Sequence, residues 1–347
     1  MEFRPKCMAF TMSDVPGKRD VEEACRMMIR YFPECPTPPE PPHGGFGLRG
    51  LILGMPCVWA DRKKKQIVYE LSERENELTQ FYDRYIAEDL DYFAIPPEYE
   101  AGLYRLSEMY KEKPWPELRL IYFAVPGIFS WGLNMVDESG TPALYNDTMR
   151  DVMIKLMAMK AKWRQTEIKK LFPGIPTLFM IANGGLSVYV SASGVGKWED
   201  AKKIYNEVLA AVDAITAIHC CANFDWPLLM ETNTDIIHFD AYQYGDSMSL
   251  YPDALKRFLD RGGMIAWGIV PSGRADQITT ENSSSLMERL EKAIELVAHK
   301  GIDKNLLLES SWISPNCSMS TPTIELGERV FELTRGVSLR MREKYFG

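Results

Sequence analysis

From position 119 onward, continuous apolar runs alternate with stretches of helical periodicity. The runs are Arg119-Leu-Ile-Tyr-Phe-Ala-Val125, Pro176-Thr-Leu-Phe-Met-Ile-Ala182, the segment 210–218, Asp235-Ile-Ile-His-Phe-Asp240, the segment 263–270, and Leu306-Leu-Leu-Glu-Ser-Ser-Trp-Ile313. Each reads as a strand without a polar face. Helices are predicted after them over 146–171, 198–211, 226–231, 251–261, 285–300 and 325–345. With one more short run, Cys7-Met-Ala-Phe-Thr-Met12, seven such strands are expected. Strands that are apolar on both faces and alternate with helices imply a parallel sheet covered on both sides. At 347 residues a closed (β/α)8 TIM barrel is favoured over an open doubly wound sheet.

The first part of the chain follows another rhythm. An amphipathic helix is expected over 20–31, capped by Asp14 or Asp20. The segment 33–42 carries so many prolines that neither a helix nor a central strand is possible. It is expected as an extended loop over the surface or over the mouth of a cleft. The runs 50–59 and 65–71 flank a basic tip and read as a β-hairpin, and a charged helical region covers about 73–110. Gly45-Phe-Gly-Leu-Arg-Gly50 spells G-x-G-x-x-G, but it follows the proline-rich loop and leads into the hairpin. The dinucleotide fingerprint needs a strand before it and a helix after it, so the match is accidental. The expected architecture is one barrel domain over 1–347. Residues 1–118 form its β-hairpin and loop extension, and 119–347 form the main run of β/α units.

Composition narrows the partners. Net charge is −8 and the sequence pI is about 5.3, so no broad basic surface is available for nucleic acid or anionic lipid. The one dense basic cluster, Asp61-Arg-Lys-Lys-Lys65, reads as a solvated hairpin tip. No apolar stretch approaches the length of a membrane span, and the residues after Met1 lack a signal-peptide core. Seven cysteines, an odd number scattered along the chain, suit a reducing cytoplasm, with some recruited to metal and the rest buried. The expectation is therefore a cytoplasmic protein that binds neither nucleic acid nor membrane, with its oligomeric state left open.

Polar chemistry collects where the apolar runs end. His219, Cys220, Cys221, Asn223 and Asp225 follow one run. Asp240, Tyr242 and Tyr244 follow the next, and Ser314, Asn316 and Cys317 follow the last. In a barrel, the C-terminal strand ends converge on one mouth. On an extended strand end His219 and Cys221 point alike, while Cys220 points the other way. One imidazole and one thiolate, joined by the remote Cys317, make the donor set of a zinc site with an open or exchangeable position. A thiolate-rich set selects zinc over magnesium or calcium. Buried cysteines beside a core histidine are the plainer reading of His-Cys-Cys alone. Cys317 and the Asp240 carboxylate, arriving from later strands, favour the metal. A nucleophilic triad is disfavoured because no third group is placed to orient the pair.

The stretches 219–226 (HCCANFDW), 235–242 (DIIHFDAY), 262–271 (GGMIAWGIVP) and 314–317 (SPNC) resemble the catalytic half of cobalamin-independent methionine synthase. More broadly the chain is similar to the superfamily shared with uroporphyrinogen decarboxylase and corrinoid-dependent methyltransferases. That resemblance implies a (β/α)8 barrel, with zinc held by His219, Cys221 and Cys317, and with Asp240 as the candidate fourth ligand where those enzymes carry a Glu. It also implies a corrinoid protein as the methyl carrier, since no counterpart of the folate-binding half is present. Where methionine synthases carry Asp-Glu-Pro, this chain has Ala182-Asn183-Gly184, without the acid that grips an amino group. Phe129, Trp131, Tyr242, Tyr244 and Trp312 either line an apolar pocket or pack in the rim and core. A decarboxylase would need several carboxylate-binding arginines, and the strand ends offer thiols and tyrosines instead. Arg274 is either an anion-binding residue or an exposed loop arginine.

Three functions follow as expectations. The first is a zinc methyltransferase that activates a small thiol, such as homocysteine or coenzyme M, towards a corrinoid-bound methyl group. The second moves a methyl group from a methoxylated aromatic compound to a corrinoid protein. The third is a non-catalytic barrel with a structural zinc ion. For an enzyme, Asp240 and Tyr242 are expected in the chemistry, and Asn183, Ser187, Asp225 and Trp131 are expected against the substrate.

Overall fold

A computed structural model of the chain describes residues 3–12, 20–39, 48–61, 66–72, 74–183, 185–190, 196–319 and 323–347. Asp14, the basic run 62–65, the first three residues of the G-x-G-x-x-G match and Gly184 lie outside the described residues. The described residues form ten strands: β1 Met8–Ala9, β2 Val58–Asp61, β3 Gln66–Tyr69, β4 Ile121–Pro126, β5 Met135–Val136, β6 Thr177–Asn183, β7 Ile215–Cys220, β8 Ile236–Phe239, β9 Met264–Val270 and β10 Ser311–Pro315. Seven of them form one parallel sheet in the order β1-β10-β9-β8-β7-β6-β4. The expected hairpin is β2 and β3, shorter than its apolar runs, and β5 adds to it as a third strand.

The large sheet is curled but open, so the closed eight-stranded barrel is not the fold of this chain. The reason lies in the proline-rich segment, which is neither a surface loop nor a lid along residues 34–37. It runs beside β4, where Glu34 O accepts from the amides of Arg119 and Leu120 at 2.9 and 3.0 Å and Pro36 O accepts from Tyr122 N at 3.3 Å. On its other side the Thr37 hydroxyl donates to Thr11 O at 2.5 Å. Residues 34–37 thus occupy the slot of an eighth strand, but Pro36, Pro38 and Pro39 have no N–H to return. No ladder forms there, and the sheet stays open between β1 and β4.

Alternation along each strand separates two cores. Met8, Tyr122, Leu178, Ala217, Ile236, Met264 and Trp312, one from each of the seven strands, fill the concave side. Residues one position on, such as Phe123, Phe179, Ile218, Ile237, Ile265 and Ile313, pack outward against the helices. Asp20 caps the first helix, Val21–Tyr31, by accepting from Glu23 N at 2.8 Å. The expected helices after the strands are present as Asp147–Leu171, Trp198–Leu209, Trp226–Met230, Pro252–Asp260, Ser283–Ala298 and Ile324–Phe346. The run 306–313 was read as one strand, yet it divides into a helix, Lys304–Glu309, and β10. Asp303 starts that helix by accepting from Leu306 N at 2.9 Å, a capping signal that outweighs a short apolar run. Among the described residues no helix is long and apolar enough to cross a membrane.

The long helix Asp147–Leu171 carries a lysine into the core. Lys160 is 0% exposed, and its Nζ donates to Ala94 O at 3.2 Å. Beside it lies a buried ion pair, Arg164 Nε to Glu100 Oε1 at 2.6 Å. Burial pushes the Lys160 ammonium down from 10.5 to about 8, against the raising effect of Glu100. Between those two values the unfolded chain holds a proton that the folded chain has released, so stability rises with pH across the window. Below about pH 8 the desolvation penalty is felt in full. Lys160→Met should therefore be more stable than the parent at pH 7, by up to roughly 3 kcal/mol. In urea unfolding at a series of pH values, that advantage should shrink as the pH approaches 10.5.

Candidate metal centre

His219 is the fifth residue of β7, and the pleat turns it to the concave side above Ala217, where it is 2% exposed. Cys221 follows immediately after β7, and Cys317 lies two residues beyond the end of β10; both thiols are half-buried. The ligand atoms of these three side chains all lie within 4.8 Å of one another. His219 Nε2 stands 3.6 Å from Cys317 Sγ. Zinc bonds of about 2.3 Å to sulfur and 2.0–2.1 Å to nitrogen make the N–S edge of a tetrahedron roughly 3.6 Å. The donor types and this edge both fit zinc. Cys220, one residue away, faces the outer core, where burial raises its thiol to about 12.

Cys317 is brought to the site by an irregular strand end. The register between β10 and β9 shifts at Ser314/Pro315, and the bulge redirects the chain that follows. The approach needs a glycine in β9: a Cβ on Gly268 would stand 2.4 Å from Phe239 O and 2.7 Å from Asn316 Cα. Asn316 then ties three strand ends together. Its N–H donates to Val270 O at 2.8 Å, and its Oδ1 accepts from Ser272 N and Ser272 Oγ at 3.0 and 2.8 Å. Its Nδ2 donates to Asp240 Oδ2 at 3.0 Å.

Asp240 stands beside the three ligands but outside the group. Its carboxylate caps the short helix Ala241–Tyr244, accepting from Gln243 N at 3.0 Å and Gln243 Nε2 at 2.6 Å as well as from Asn316. Burial raises its pKa, and those three hydrogen bonds oppose the rise. Cys221 is held well below the usual thiol value chiefly because Cys317 donates a hydrogen bond to it. Cys317 is raised by that same hydrogen bond and by burial. The pair therefore gives up its first proton readily and its second reluctantly.

One residue was not singled out by sequence reasoning. His238 is fully buried on β8 as the register partner of His219, and the two Nδ1 atoms are 2.8 Å apart. On its far side, His238 Nε2 lies 2.7 Å from Ser314 Oγ and 3.1 Å from Pro315 O. Burial, with His219 alongside, lowers the His238 pKa well below the ordinary imidazole value. The one available signal was its place in the run 235–240, on the alternate position that faces inward.

The other expected residues are more scattered. Tyr242 is half-buried; its hydroxyl donates to Glu281 Oε1 at 3.0 Å and its ring lies under Arg289. Asp225 is exposed at the start of helix Trp226–Met230, and Ser187 is half-buried on Leu186–Tyr189. Asn183 ends β6 in register with Cys220. Trp131 is buried in the outer core, with its indole N–H lacking a partner. Phe129 packs on Tyr189 with ring centroids 4.7 Å apart, and Trp312 packs against Phe3 and Phe10. These three aromatic residues are thus packing groups, while Tyr242 and Tyr244 remain half-buried at the strand ends. Arg274 pairs with Asp276 on the surface.

No family model matches the chain, and no curated protein does either. Among solved structures, the chain is matched to a "putative alpha-L-fucosidase" from Bacteroides thetaiotaomicron VPI-5482, at 12% identity and a TM-score of 0.28, which is too low to show a shared fold. That match covers 71% of this chain and 62% of the other, so the chain spans less than two thirds of the length of that protein.

The tether between Asp240 and Ser272 gives a direct test of how Cys317 is held. Asn316→Leu keeps the volume but leaves Asp240 a donor short and the Ser272 N–H without its acceptor, while the Ser272 hydroxyl keeps Cys317 O at 3.0 Å. The expected cost is about 1–3 kcal/mol in urea unfolding. An unchanged midpoint would show that the tether contributes nothing to the fold.

Proposed function

We propose that the protein is a zinc-dependent methyltransferase that works with a corrinoid methyl carrier in the cytoplasm and takes a small thiol as methyl acceptor. The observation that supports this reading best is the convergence of His219, Cys221 and Cys317, with the neighbouring Asp240 carboxylate engaged elsewhere. Three protein ligands and a vacant fourth direction characterise catalytic rather than structural zinc sites. Zinc bound there would lower the pKa of a thiol ligand, so that a thiolate nucleophile is present at neutral pH. The similarity of 219–226, 235–242, 262–271 and 314–317 to the methionine synthase catalytic half supports the reaction class.

The chain's own residues have separable tasks. Cys221 and Cys317 supply the negative charge of the ligand set, and His219 supplies a neutral nitrogen. Asp240, held by Gln243 and Asn316, fixes the strand-end loops around the thiols. Tyr242, anchored to Glu281, is the second residue of the short helix that Asp240 caps.

Purified protein should carry stoichiometric zinc by elemental analysis, and Cys317→Ser should lose most of it. On addition of homocysteine or coenzyme M, zinc-edge X-ray absorption should gain a sulfur neighbour, and free methylcobalamin should methylate the thiol. An unchanged zinc environment would instead point to a structural ion. Demethylation of a methoxyaromatic compound by cob(I)alamin, with no thiol methylation, would reverse the direction of transfer.

A further inference from the structure

The contact between the two buried histidines has only one set of proton positions that satisfies every partner. Pro315 O can only accept, so at 3.1 Å it requires a proton on His238 Nε2. Ser314 Oγ, 2.7 Å from that nitrogen, accepts a share of the same proton and turns its own towards Trp267 O at 3.4 Å. His238 is buried without a carboxylate hydrogen-bonded to it and stays neutral, so its Nδ1 is bare. Facing it at 2.8 Å, His219 Nδ1 must then carry the hydrogen. The opposite assignment would set two lone pairs against each other in a dry interior, where nothing else could satisfy either nitrogen. His219 Nε2 is left bare on the side of Cys317.

We propose that His238 is a positioning residue that locks the His219 ring in its Nδ1–H tautomer and presents a bare Nε2 to a metal ion. The proposal rests on the metal reading above and adds to it the group that makes His219 a competent ligand. Without an acceptor at Nδ1, His219 would divide its population between two tautomers, one of which has a hydrogen where the metal bond must form. Its ring would also be free to turn about χ2. Hydrogen-bond partners of this kind orient ligating imidazoles and raise their basicity, and removing them weakens metal binding by about 10- to 100-fold. The relay ends on a main-chain carbonyl of β10, the strand that leads to Cys317. The position of the nitrogen ligand and the path of the sulfur ligand are therefore mechanically linked.

Two measurements test this. Nitrogen-15 NMR of metal-free wild-type protein, with only four histidines to assign, should show His219 protonated on Nδ1 and bare on Nε2. Zinc affinity by chelator competition should fall about 10- to 100-fold in His238→Leu. It should return close to the wild-type value in His238→Asn, whose carboxamide oxygen can accept where Nδ1 did. An Nε2–H tautomer in the wild type overturns the proposal, as does a His238→Leu protein that binds zinc as tightly as its parent. Equal losses in the Leu and Asn variants would reduce His238 to a packing role and also overturn it. If His238→Leu does not fold, the wild-type tautomer decides. If the wild type shows the Nδ1–H tautomer but takes up no zinc, the tautomer lock stands and the metal reading falls.

Discussion

The register between β7 and β8 is the constraint on which the site depends. Parallel pairing sets Ala217 against Ile236 and His219 against His238. A clamp at the opposite end of the strands holds that register: Asp235 accepts from Thr216 N and Thr216 Oγ1, each at 2.8 Å, and Asp235 N returns a bond to Thr216 O at 3.1 Å. A slip of β8 by one residue would turn His238 out into the apolar helix layer, bring Phe239 inward and leave His219 without its partner. The slip would forfeit the inner packing of Ile236 and strand a polar ring among aliphatic side chains. Core packing and ligand placement thus select the same register.

The open edge of the sheet does not reach the site. All four strand ends that build it, those of β7, β8, β9 and β10, are consecutive neighbours, whereas the gap lies between β1 and β4. Convergence of strand ends needs only the curl that twisted parallel strands adopt when both faces are packed. It does not need a complete ring. This explains how a proline-rich segment can stand in the eighth position, contributing carbonyl acceptors and a buried Cys35 but no ladder, while the metal ligands still meet.

Most of the architecture was legible because parallel strands buried on both faces leave long apolar runs, and seven such runs gave the seven strands of the sheet. Two features were not legible for physical reasons. A run such as 306–313 is apolar whether it is helix or strand, and the Asp303 cap decides between them locally. The proline segment was read by what its missing amides forbid, whereas its carbonyls still made it a partner for β4. In the site, His219, Cys221 and Cys317 could be grouped because they follow runs that end on one side of a parallel sheet. The environment of Asp240 could not be foreseen, since Gln243 and Asn316 reach it through a helix cap and a bulge. His238 escaped notice because it sits within a run, and only the register reveals its partner.

The tethering of Asp240 bears on why this carboxylate stands outside the group formed by His219, Cys221 and Cys317. A buried carboxylate that gives up two or three hydrogen bonds to reach a cation loses most of what it gains, because each bond left behind exposes a donor in a dry environment. Asn316, which is buried and also ties Ser272 to the loop that carries Cys317, would be left short if Asp240 moved. Electrostatics points the same way: burial raises the pKa of Asp240, and the neighbouring Cys221 adds to the rise, so this interior accepts an anion poorly. Held by these hydrogen bonds, Asp240 serves as a structural post between the strand ends and stays outside the group formed by His219, Cys221 and Cys317.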